Sequence, residues 1–248
     1  MASSLESSIF TAEKFLQYLK SRGQLDDGPV PKNMVVCFIP FVAHGLCSEP
    51  HWEKRKFLGA TLYTDSNHPD VGVLTEIGVG APALVAKLEE LNVLGVKRVL
   101  GLGVAGSLTN DHQVGQVVLA NGALRQEGCS QHYGVTELKV FPHKGLVESL
   151  AKGFGSPVAS ELWVSTDAPY RETPSKIEQW MSQGAGCVEM EASALFSVAK
   201  FLGLEAASVA VISDFLGQGE WQPYFHHKVV KDSLFGTIHA AVQILRSC

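Results

Sequence analysis

Short apolar runs that are typical of buried strands alternate along this chain with stretches in which apolar residues recur every three or four positions, as on one face of a helix. The pattern predicts strands at residues 34–39, 71–77, 96–102, 114–120, 157–165, 188–191 and 206–212. It predicts helices at residues 15–19, 82–91, 143–152, 174–183, 192–202 and 228–245. Such alternation is typical of an α/β fold, with helices on both faces of a largely parallel sheet.

Boundary residues support this division of the chain. Thr11 is a candidate N-cap for the first helix, residues 24–32 predict a loop, and Pro40 is expected to end the first strand. No repeat, low-complexity stretch or linker interrupts the chain. We therefore expect a single domain over residues 1–248, in which residues 1–33 form an N-terminal helix and loop.

Composition narrows the class of protein. The 248 residues are 46% hydrophobic and 18% charged, which is enough to bury one large core. A formal net charge of −5 argues against a nucleic-acid partner, and the one tight basic cluster, residues 54–56, is interpreted as a solvated face. The five cysteines form no CxxC pair, which suits a reducing compartment, and without an HExxH motif no metal site is expected.

The chain shows no sign of export or membrane insertion. Its first residues lack a basic region followed by an apolar core, and no apolar run reaches the length of a membrane span. We expect a cytoplasmic protein with no membrane partner.

The segment 186–196 carries the strongest chemical signal, because Glu189 and Glu191 flank Met190 in an otherwise apolar run. If a strand continues to Glu191, the two carboxylates face one side and Met190 faces the other. Carboxylates in such surroundings normally have partners. The alternative is a strand end that emerges into water, where two acids need none.

Two glycine-rich segments are predicted to be turns at strand ends, where a ligand can approach the backbone closely. The first contains Gly78 and Gly80, and the second, residues 101–107, contains Gly103 and Val104. The second fits GxGxxG, but a turn-like stretch and a strand follow it rather than a helix, which excludes the dinucleotide fingerprint. Ordinary tight loops are the alternative for both.

Ser213 and Asp214 end an apolar strand, where a partly desolvated aspartate is able to act as a general acid. A helix cap is the alternative, although residues 215–220 make a poor helix start.

Four more polar or aromatic residues follow strands. Tyr170 offers a face for stacking and Arg171 a fork of donors, unless they belong to an ordinary exposed loop. Arg125 and His132 form a comparable polar cluster, in which a histidine is more often structural than catalytic.

Together, these segments resemble the nucleoside phosphorylase superfamily, in the branch of bacterial-type purine nucleoside phosphorylase, uridine phosphorylase and methylthioadenosine nucleosidase. The order and spacing of the motifs agree from about Met34 to the C-terminus. The matching segments are 78–82, 103–106, 125–133, 166–173, 188–192 and 211–214. The resemblance implies a phosphorylase/hydrolase-like fold, a three-layer sandwich around a central mixed, largely parallel sheet.

The resemblance also implies roles for individual residues. Glu191 would bind the ribose hydroxyls, with Met190 packed on the sugar and Glu189 nearby. Asp214 would protonate or hydrogen-bond the departing base, which favours a purine, and Tyr170 would stack on that base. A further implication is a homo-oligomer, in which Arg55 reaches the phosphate site of a neighbouring subunit.

The chain departs from the family's pattern where the nucleophile binds. Phosphorolytic relatives have an arginine and a serine or threonine at the positions of Gly101 and Val104, and Gly-Asp-Pro-x-Arg in place of residues 39–44. Hydrolytic relatives use an N-terminal acidic residue, and the nearest polar candidates here are His44 and Glu49. Phosphate as a co-substrate and water therefore both stay open as nucleophiles, with no other cofactor expected.

We expect the protein to cleave the N-glycosidic bond of a purine-like nucleoside, by phosphorolysis or hydrolysis. The alternative is a non-catalytic nucleoside binder, or a family member that acts on another small molecule.

Overall fold

The computed structural model describes residues 6–25, 28–154, 158–217 and 219–247. The strands are β1 Asn33–Cys37, β2 Trp52–Phe57, β3 Ala60–Asp65, β4 Val71–Thr75, β5 Arg98–Ser107, β6 Val117–Gln126, β7 Lys139–Val140, β8 Ala159–Thr166, β9 Ala185–Glu189, β10 Glu205–Phe215 and β11 Gln222–Pro223. The helices are α1 Ala12–Ser21, α2 Pro40–Leu46, α3 Ala81–Val93, α4 Lys144–Gly153, α5 Pro174–Ser182, α6 Ala192–Leu202 and α7 Lys228–Arg246, with 3-10 turns at Ser130–Tyr133 and Pro169–Arg171. The chain start, the middle of the expected 24–32 loop and the expected strand start at residue 157 lie outside the described residues.

The described strands form one mixed sheet. β1 lies between β4 and β5 and is parallel to both, and β10 runs parallel to β5 on its other side. β8 is parallel to β6 and β9, while β6 pairs antiparallel with β10 and β9 pairs antiparallel with the end of β5. The hairpin β2–β3 extends the sheet antiparallel beyond β4.

Helices cover both faces of this sheet, which confirms the expected α/β fold class. On one face, α3 and α6 pack together over a core that includes Leu84 and Leu195, and α1 packs on α3. On the other face, α2 and α4 pack on α7 over a core that includes Val42, Leu146 and Ile238. Among the described residues, no helix is long and apolar enough to cross a membrane.

Several predicted elements are confirmed at the residue level. α6 has the predicted bounds, and the side chain of Thr11 caps α1 by accepting a hydrogen bond from the Lys14 N–H group. Pro40 does follow β1, but it opens the short helix α2 rather than a loop, since a first helical turn tolerates proline.

The prediction of a glycine turn at residues 101–107 is wrong, because β5 continues through Ser107. These glycines allow close packing rather than a turn. A Cβ atom at Gly101 would lie 3.1 Å from Ser208 Oγ, and one at Gly103 would lie 3.3 Å from the Phe38 ring. Small residues are needed where neighbouring side chains approach the strand this closely.

Candidate functional site

The second half of β5 lies at the centre of the candidate site. β1 and β4 end level with Leu102 of β5. β9 runs antiparallel to β5 and ends at Glu189, and β10 places Asp214 opposite Gly106. The ends of strands from both directions therefore converge around residues 103–106, and loops that follow strand ends are where α/β proteins bind ligands.

Glu189 organises the junction between β9 and α6. Its carboxylate accepts hydrogen bonds from Ser165 Oγ at 2.5 Å and from the N–H groups of Glu191 and Ala192, each at 2.8 Å. The last two are donors that the first turn of α6 leaves without helical partners. Burial raises the pKa of Glu189, and these hydrogen bonds oppose the rise. Glu189 thus holds the backbone at the start of α6 and thereby positions Glu191.

Glu191 does not continue the strand, so the prediction that both carboxylates share one strand face is wrong. β9 ends at Glu189, and Glu191 occupies the N-cap position of α6 with φ −134° and ψ −32°. The alternative of a strand end in water is also wrong for Glu191, which is only 7% exposed. The hydrogen-bond demands of the α6 N-terminus, which strand alternation does not take into account, explain the difference.

The Glu191 carboxylate crosses to the loop before α3. Its Oε1 accepts a hydrogen bond from the Gly80 N–H group at 2.6 Å. Burial, and then the charge of Glu189, raises the pKa of Glu191 to about 8. Met190 lies beside the same loop, since a Cβ at Gly80 would be 3.8 Å from its methyl carbon. The predicted sugar-binding pair is therefore brought together with one of the predicted glycine turns.

The Gly78–Gly80 loop is a turn between β4 and α3, as the sequence predicts. Gly78 and Gly80 have φ values of +96° and +90°, which side-chain-bearing residues rarely adopt. Val79 between them is 68% exposed. Exposed backbone at a helix N-terminus is suited to holding an anion.

Asp214 lies in β10, one residue before its end, so the helix-cap alternative is wrong. The carboxylate is 8% exposed. Its Oδ1 accepts from Ser213 Oγ at 2.7 Å, and its Oδ2 accepts from Trp221 Nε1 at 2.9 Å. The two donors fix the carboxylate orientation, since each oxygen has its own partner.

Glu172 is a neighbour of Asp214 that the sequence analysis did not single out. Burial, and then the negative charge of Asp214, raises the pKa of Glu172 to about 7, while Lys176 opposes the rise. Glu172 and Trp221 line a cavity of about 500 Å³ together with Ile177 and Leu216. A carboxyl group with such a pKa keeps its proton up to about neutral pH. The sequence around residue 172 does not predict this raised pKa, because Asp214 is distant in the chain and only the fold brings it close.

Tyr170 and Arg171 directly precede Glu172 in the chain and are exposed. They lie on the 3-10 turn after β8, and the Tyr170 side chain is 99% exposed. The Asp167 carboxylate links this loop to the loop that follows β6, because it accepts a hydrogen bond from the Gly128 N–H group at 2.7 Å. The stacking face of Tyr170 is therefore unobstructed in a single chain.

The Arg125 side chain forms hydrogen bonds with other residues of its own chain. Its Nε donates to Ser130 Oγ at 2.5 Å, and its Nη1 donates to the Glu137 carbonyl at 2.7 Å. The buried Glu127 carboxylate lies 4.0 Å from the Arg125 Nε. His132 lies on the same 3-10 turn as Ser130 and is exposed. Arg125 thus shapes the loop between β6 and β7.

The phosphate-site candidates are dispersed within one chain. Val104 is half-buried and packs against the core on the α2 and α7 face, where its side chain offers no hydrogen bond. Arg55 lies on β2, four strands from β5 and thus roughly 19 Å away. Its guanidinium donates to the Pro29 carbonyl at 2.6 Å.

Glu76 is a second carboxylate beside the Gly78–Gly80 loop that sequence analysis missed. It follows β4 with a φ of +62°, a strained value for a non-glycine residue. Thr61 Oγ1 donates to it at 2.5 Å, and the side chains of Lys56 and His44 each lie 3.5 Å away. The Thr61 hydrogen bond is the main cause that lowers the pKa of Glu76.

The family model described as "Phosphorylase superfamily" matches residues 34–235, and the chain belongs to that superfamily. The resemblance found in the sequence motifs is therefore confirmed.

Curated relatives align with more than half of the chain. A guanosine phosphorylase of Halorubrum lacusprofundi is 32% identical over 146 residues, covering 57% of this chain and 60% of that protein. A uridine phosphorylase of Haemophilus influenzae is 29% identical over 155 residues, covering 56% of this chain and 62% of that protein. The chain thus spans about three fifths of the length of these relatives.

Solved structures share the fold over most of the chain. Purine nucleoside phosphorylase from Toxoplasma gondii, in complex with immucillin-H, has a TM-score of 0.76 at 19% identity and covers 91% of this chain and 96% of its own. Uridine phosphorylase from Vibrio fischeri has a TM-score of 0.75 at 22% identity and covers 90% of this chain and 94% of its own. At these identities the likeness establishes the fold.

Proposed function

We propose that this protein cleaves the N-glycosidic bond of a nucleoside by phosphorolysis, releasing the base and a sugar phosphate. The observation that carries the proposal is the buried Glu191 carboxylate, fixed by the Gly80 N–H group near the strand ends where Asp214 lies opposite Gly106. Relatives that are guanosine and uridine phosphorylases support it.

The sugar would bind at Glu191. An ionised carboxylate accepts hydrogen bonds from two neighbouring hydroxyl groups, and such charge-assisted bonds are strong. One oxygen already accepts from Gly80, which keeps the carboxylate in place without using its remaining lone pairs. Met190 supplies an apolar surface beside the loop for the sugar ring.

The base would bind between Tyr170 and the pair formed by Asp214 and Glu172. As the C–N bond breaks, the electron pair leaves with the base, and positive charge develops on the sugar. A protonated Glu172 would transfer its proton to the base and neutralise the negative charge that develops there. A ring nitrogen that accepts a proton favours a purine, and the aromatic ring of Tyr170 is free to stack on it.

Phosphate would bind against the backbone of the Gly78–Gly80 loop and residues 103–104 of β5. The α3 N-terminus offers N–H groups and the positive end of a helix dipole there. One phosphate oxygen would form the new bond to the sugar carbon. Phosphate is in this proposal the only co-substrate, and a neighbouring subunit in a homo-oligomer would complete the open side of the site.

Hydrolysis is the second candidate, and Glu76 is the observation that favours it. This carboxylate stands beside the same loop in a strained conformation, with the His44 ring 3.5 Å away. A negative charge there repels phosphate and is able to accept a proton from water.

The test is to incubate the purified protein with adenosine, inosine, guanosine and uridine, with and without phosphate, and to measure free base and sugar phosphate. We expect purine release that requires phosphate and that Asp214→Asn and Glu191→Gln greatly reduce. Base release without phosphate, lost in Glu76→Gln, would establish the hydrolase instead. If no nucleoside is cleaved but one raises the unfolding temperature, the protein is a binder, and the proposed activity is wrong.

A further inference from the structure

Three side chains that are suited to bind a metal ion meet on the far side of the sheet from Asp214. They are His112, Glu161 and Cys187, and their ligand atoms all lie within 4.8 Å of one another. His112 Nε2 is 2.5 Å from Glu161 Oε1, and Cys187 Sγ is 3.8 Å from Glu161 Oε2. His112 and Cys187 are buried, while Glu161 is half-buried.

The cluster lies across the sheet from Asp214. Cys187 and Val188 are neighbours in β9, so their side chains point to opposite faces of the sheet. Val188 lies on the face of Asp214, since a Cβ at Gly106 would be 3.2 Å from both Asp214 Oδ2 and Val188 Cγ1. Cys187 therefore lies on the other face.

Ser107 fixes which nitrogen of His112 carries hydrogen. The Ser107 hydroxyl donates its only hydrogen to the Thr109 carbonyl at 2.7 Å and accepts from the Thr109 N–H at 3.2 Å. It lies 2.7 Å from His112 Nδ1, so it must act as the acceptor in that bond as well. Nδ1 therefore holds a hydrogen, and in neutral His112 the lone pair of Nε2 points at Glu161.

A hydrogen on one of the two groups, or a metal ion bound by both, would hold the Nε2 lone pair and the carboxylate oxygen together. A proton would satisfy that pair alone. The buried Cys187 sulfur beside the other carboxylate oxygen adds a third ligand that a proton does not need.

The backbone also keeps the carboxylate in this place. Glu161 Oε2 occupies the space above Gly186, where a Cβ atom would overlap it. His112 and Glu161 line a cavity of about 570 Å³, together with Gly186 and Asp111. The cavity gives an ion and water a route to the cluster from outside.

We propose that His112, Glu161 and Cys187 form a binding site for zinc or a similar divalent ion, with its fourth position open to this cavity. One imidazole nitrogen, one carboxylate and one thiolate are a donor set that zinc accepts in tetrahedral geometry. The outward hydrogen bond of His112 to Ser107 is the kind that orients a metal-bound histidine. The three ligands lie far apart in the chain, and for that reason no ligand spacing appears in the sequence.

Titration of the chelator-treated full chain with Co²⁺, followed by absorption, tests the proposal. We expect one equivalent to bind, with a sulfur-to-cobalt charge-transfer band in the near ultraviolet and the intense visible bands of a tetrahedral ion. Zn²⁺ should displace the cobalt. A wild-type protein that shows neither band contradicts the proposal.

Variants assign the ligands. Cys187→Ser should abolish the charge-transfer band. Loss of a residue that only orients a ligand weakens metal binding by about 10- to 100-fold, so loss of the ligand itself in His112→Gln should weaken binding by more than about 100-fold. Ser107→Ala should weaken it by about 10- to 100-fold and keep the band. Cys129→Ser, at a half-buried cysteine elsewhere, is the matched control and should bind normally.

An unchanged band in Cys187→Ser would overturn the proposal. If that variant does not fold, X-ray absorption of the zinc-loaded wild type decides, since one sulfur and three lighter ligands are expected. No sulfur, or more than one, would contradict the site.

Discussion

Glu191 is a buried carboxylate whose pKa of about 8 lies far above that of an exposed glutamate. Because the folded-state pKa is raised above the unfolded value of about 4.3, the stabilising contribution of this group is complete below pH 4.3. It is lost as the pH rises toward 8, where the folded protein must hold a buried charge beside Glu189. This group therefore lowers the free energy of unfolding most in the pH range in which its carboxylate is ionised.

Replacing Glu191 by glutamine should therefore separate stability from activity. At about pH 8.5 we expect Glu191→Gln to raise the free energy of unfolding by about 1–2 kcal/mol, or roughly 2–8 °C in unfolding temperature, because the buried charge is removed. At about pH 5 the difference should nearly vanish. Activity with nucleoside should fall at least about tenfold, since a charged acceptor is lost. Thermal unfolding at both pH values checks this, and lower stability of the variant at pH 8.5 would contradict it.

Glu172 should set the alkaline limit of activity. Its pKa of about 7 means that the proton available to the leaving base is lost above neutral pH. Because Glu191 must be ionised and its pKa is about 8, we expect kcat/KM to fall by up to tenfold per pH unit only above about 8 in the wild type, and this decline to disappear in Glu172→Gln.

Glu178→Gln is the matched control, because Glu178 lines the same cavity. It should retain the wild-type pH profile. An alkaline decline that persists in Glu172→Gln would assign the titrating group elsewhere.

At the level of the elements, β5 carries a residue that tests the proposed phosphate site. Val104 presents an apolar side chain where the resemblance places a hydroxyl group, so binding there depends on backbone N–H groups. Val104→Thr should add one hydrogen bond to a charged ligand, about 1.5 kcal/mol, and lower the KM for phosphate by roughly tenfold. Steady-state kinetics with varied phosphate checks this, with Val104→Ala as the control. An unchanged KM for phosphate in Val104→Thr would show that the side chain at position 104 does not contact phosphate.

Periodicity predicted the elements that have one apolar face or are buried throughout. The helix α6 has the predicted bounds because its residues are apolar and small on nearly all sides. The hairpin β2–β3 was missed because β2 is buried only at its two ends and carries the basic cluster between them. Its outward residues interrupt any apolar run.

Site residues were predictable where a short segment carries the chemistry, and not where the fold assembles it. Glu191 stands out because a charge interrupts an apolar run. Glu172 has its raised pKa only because β10 brings Asp214 close to it. The hydrogen bonds of Glu189 to the start of α6 also end the strand before Glu191, and a rule based on alternating strand faces does not predict this.

For the molecule as a whole, the candidate site is open on one side. Tyr170 is 99% exposed, two residues before Glu172, and Val79 is 68% exposed, next to the Gly80 N–H group that binds Glu191. A nucleoside bound by one chain would leave much of its surface in water, whereas ligand sites normally bury most of a small molecule. Exposed aromatic and aliphatic residues beside a ligand site are typical of surfaces that meet a second chain.

We therefore expect a homo-oligomer whose assembly supports catalysis. Sedimentation of the purified protein should give a mass that is a multiple of 26.7 kDa. Because closed symmetric oligomers dissociate on dilution, specific activity should fall at concentrations where sedimentation shows separate chains. Saturating nucleoside should shift that transition to lower protein concentration, since a ligand held between subunits favours the assembled state. A monomer whose specific activity is independent of concentration would show that one chain forms the complete site.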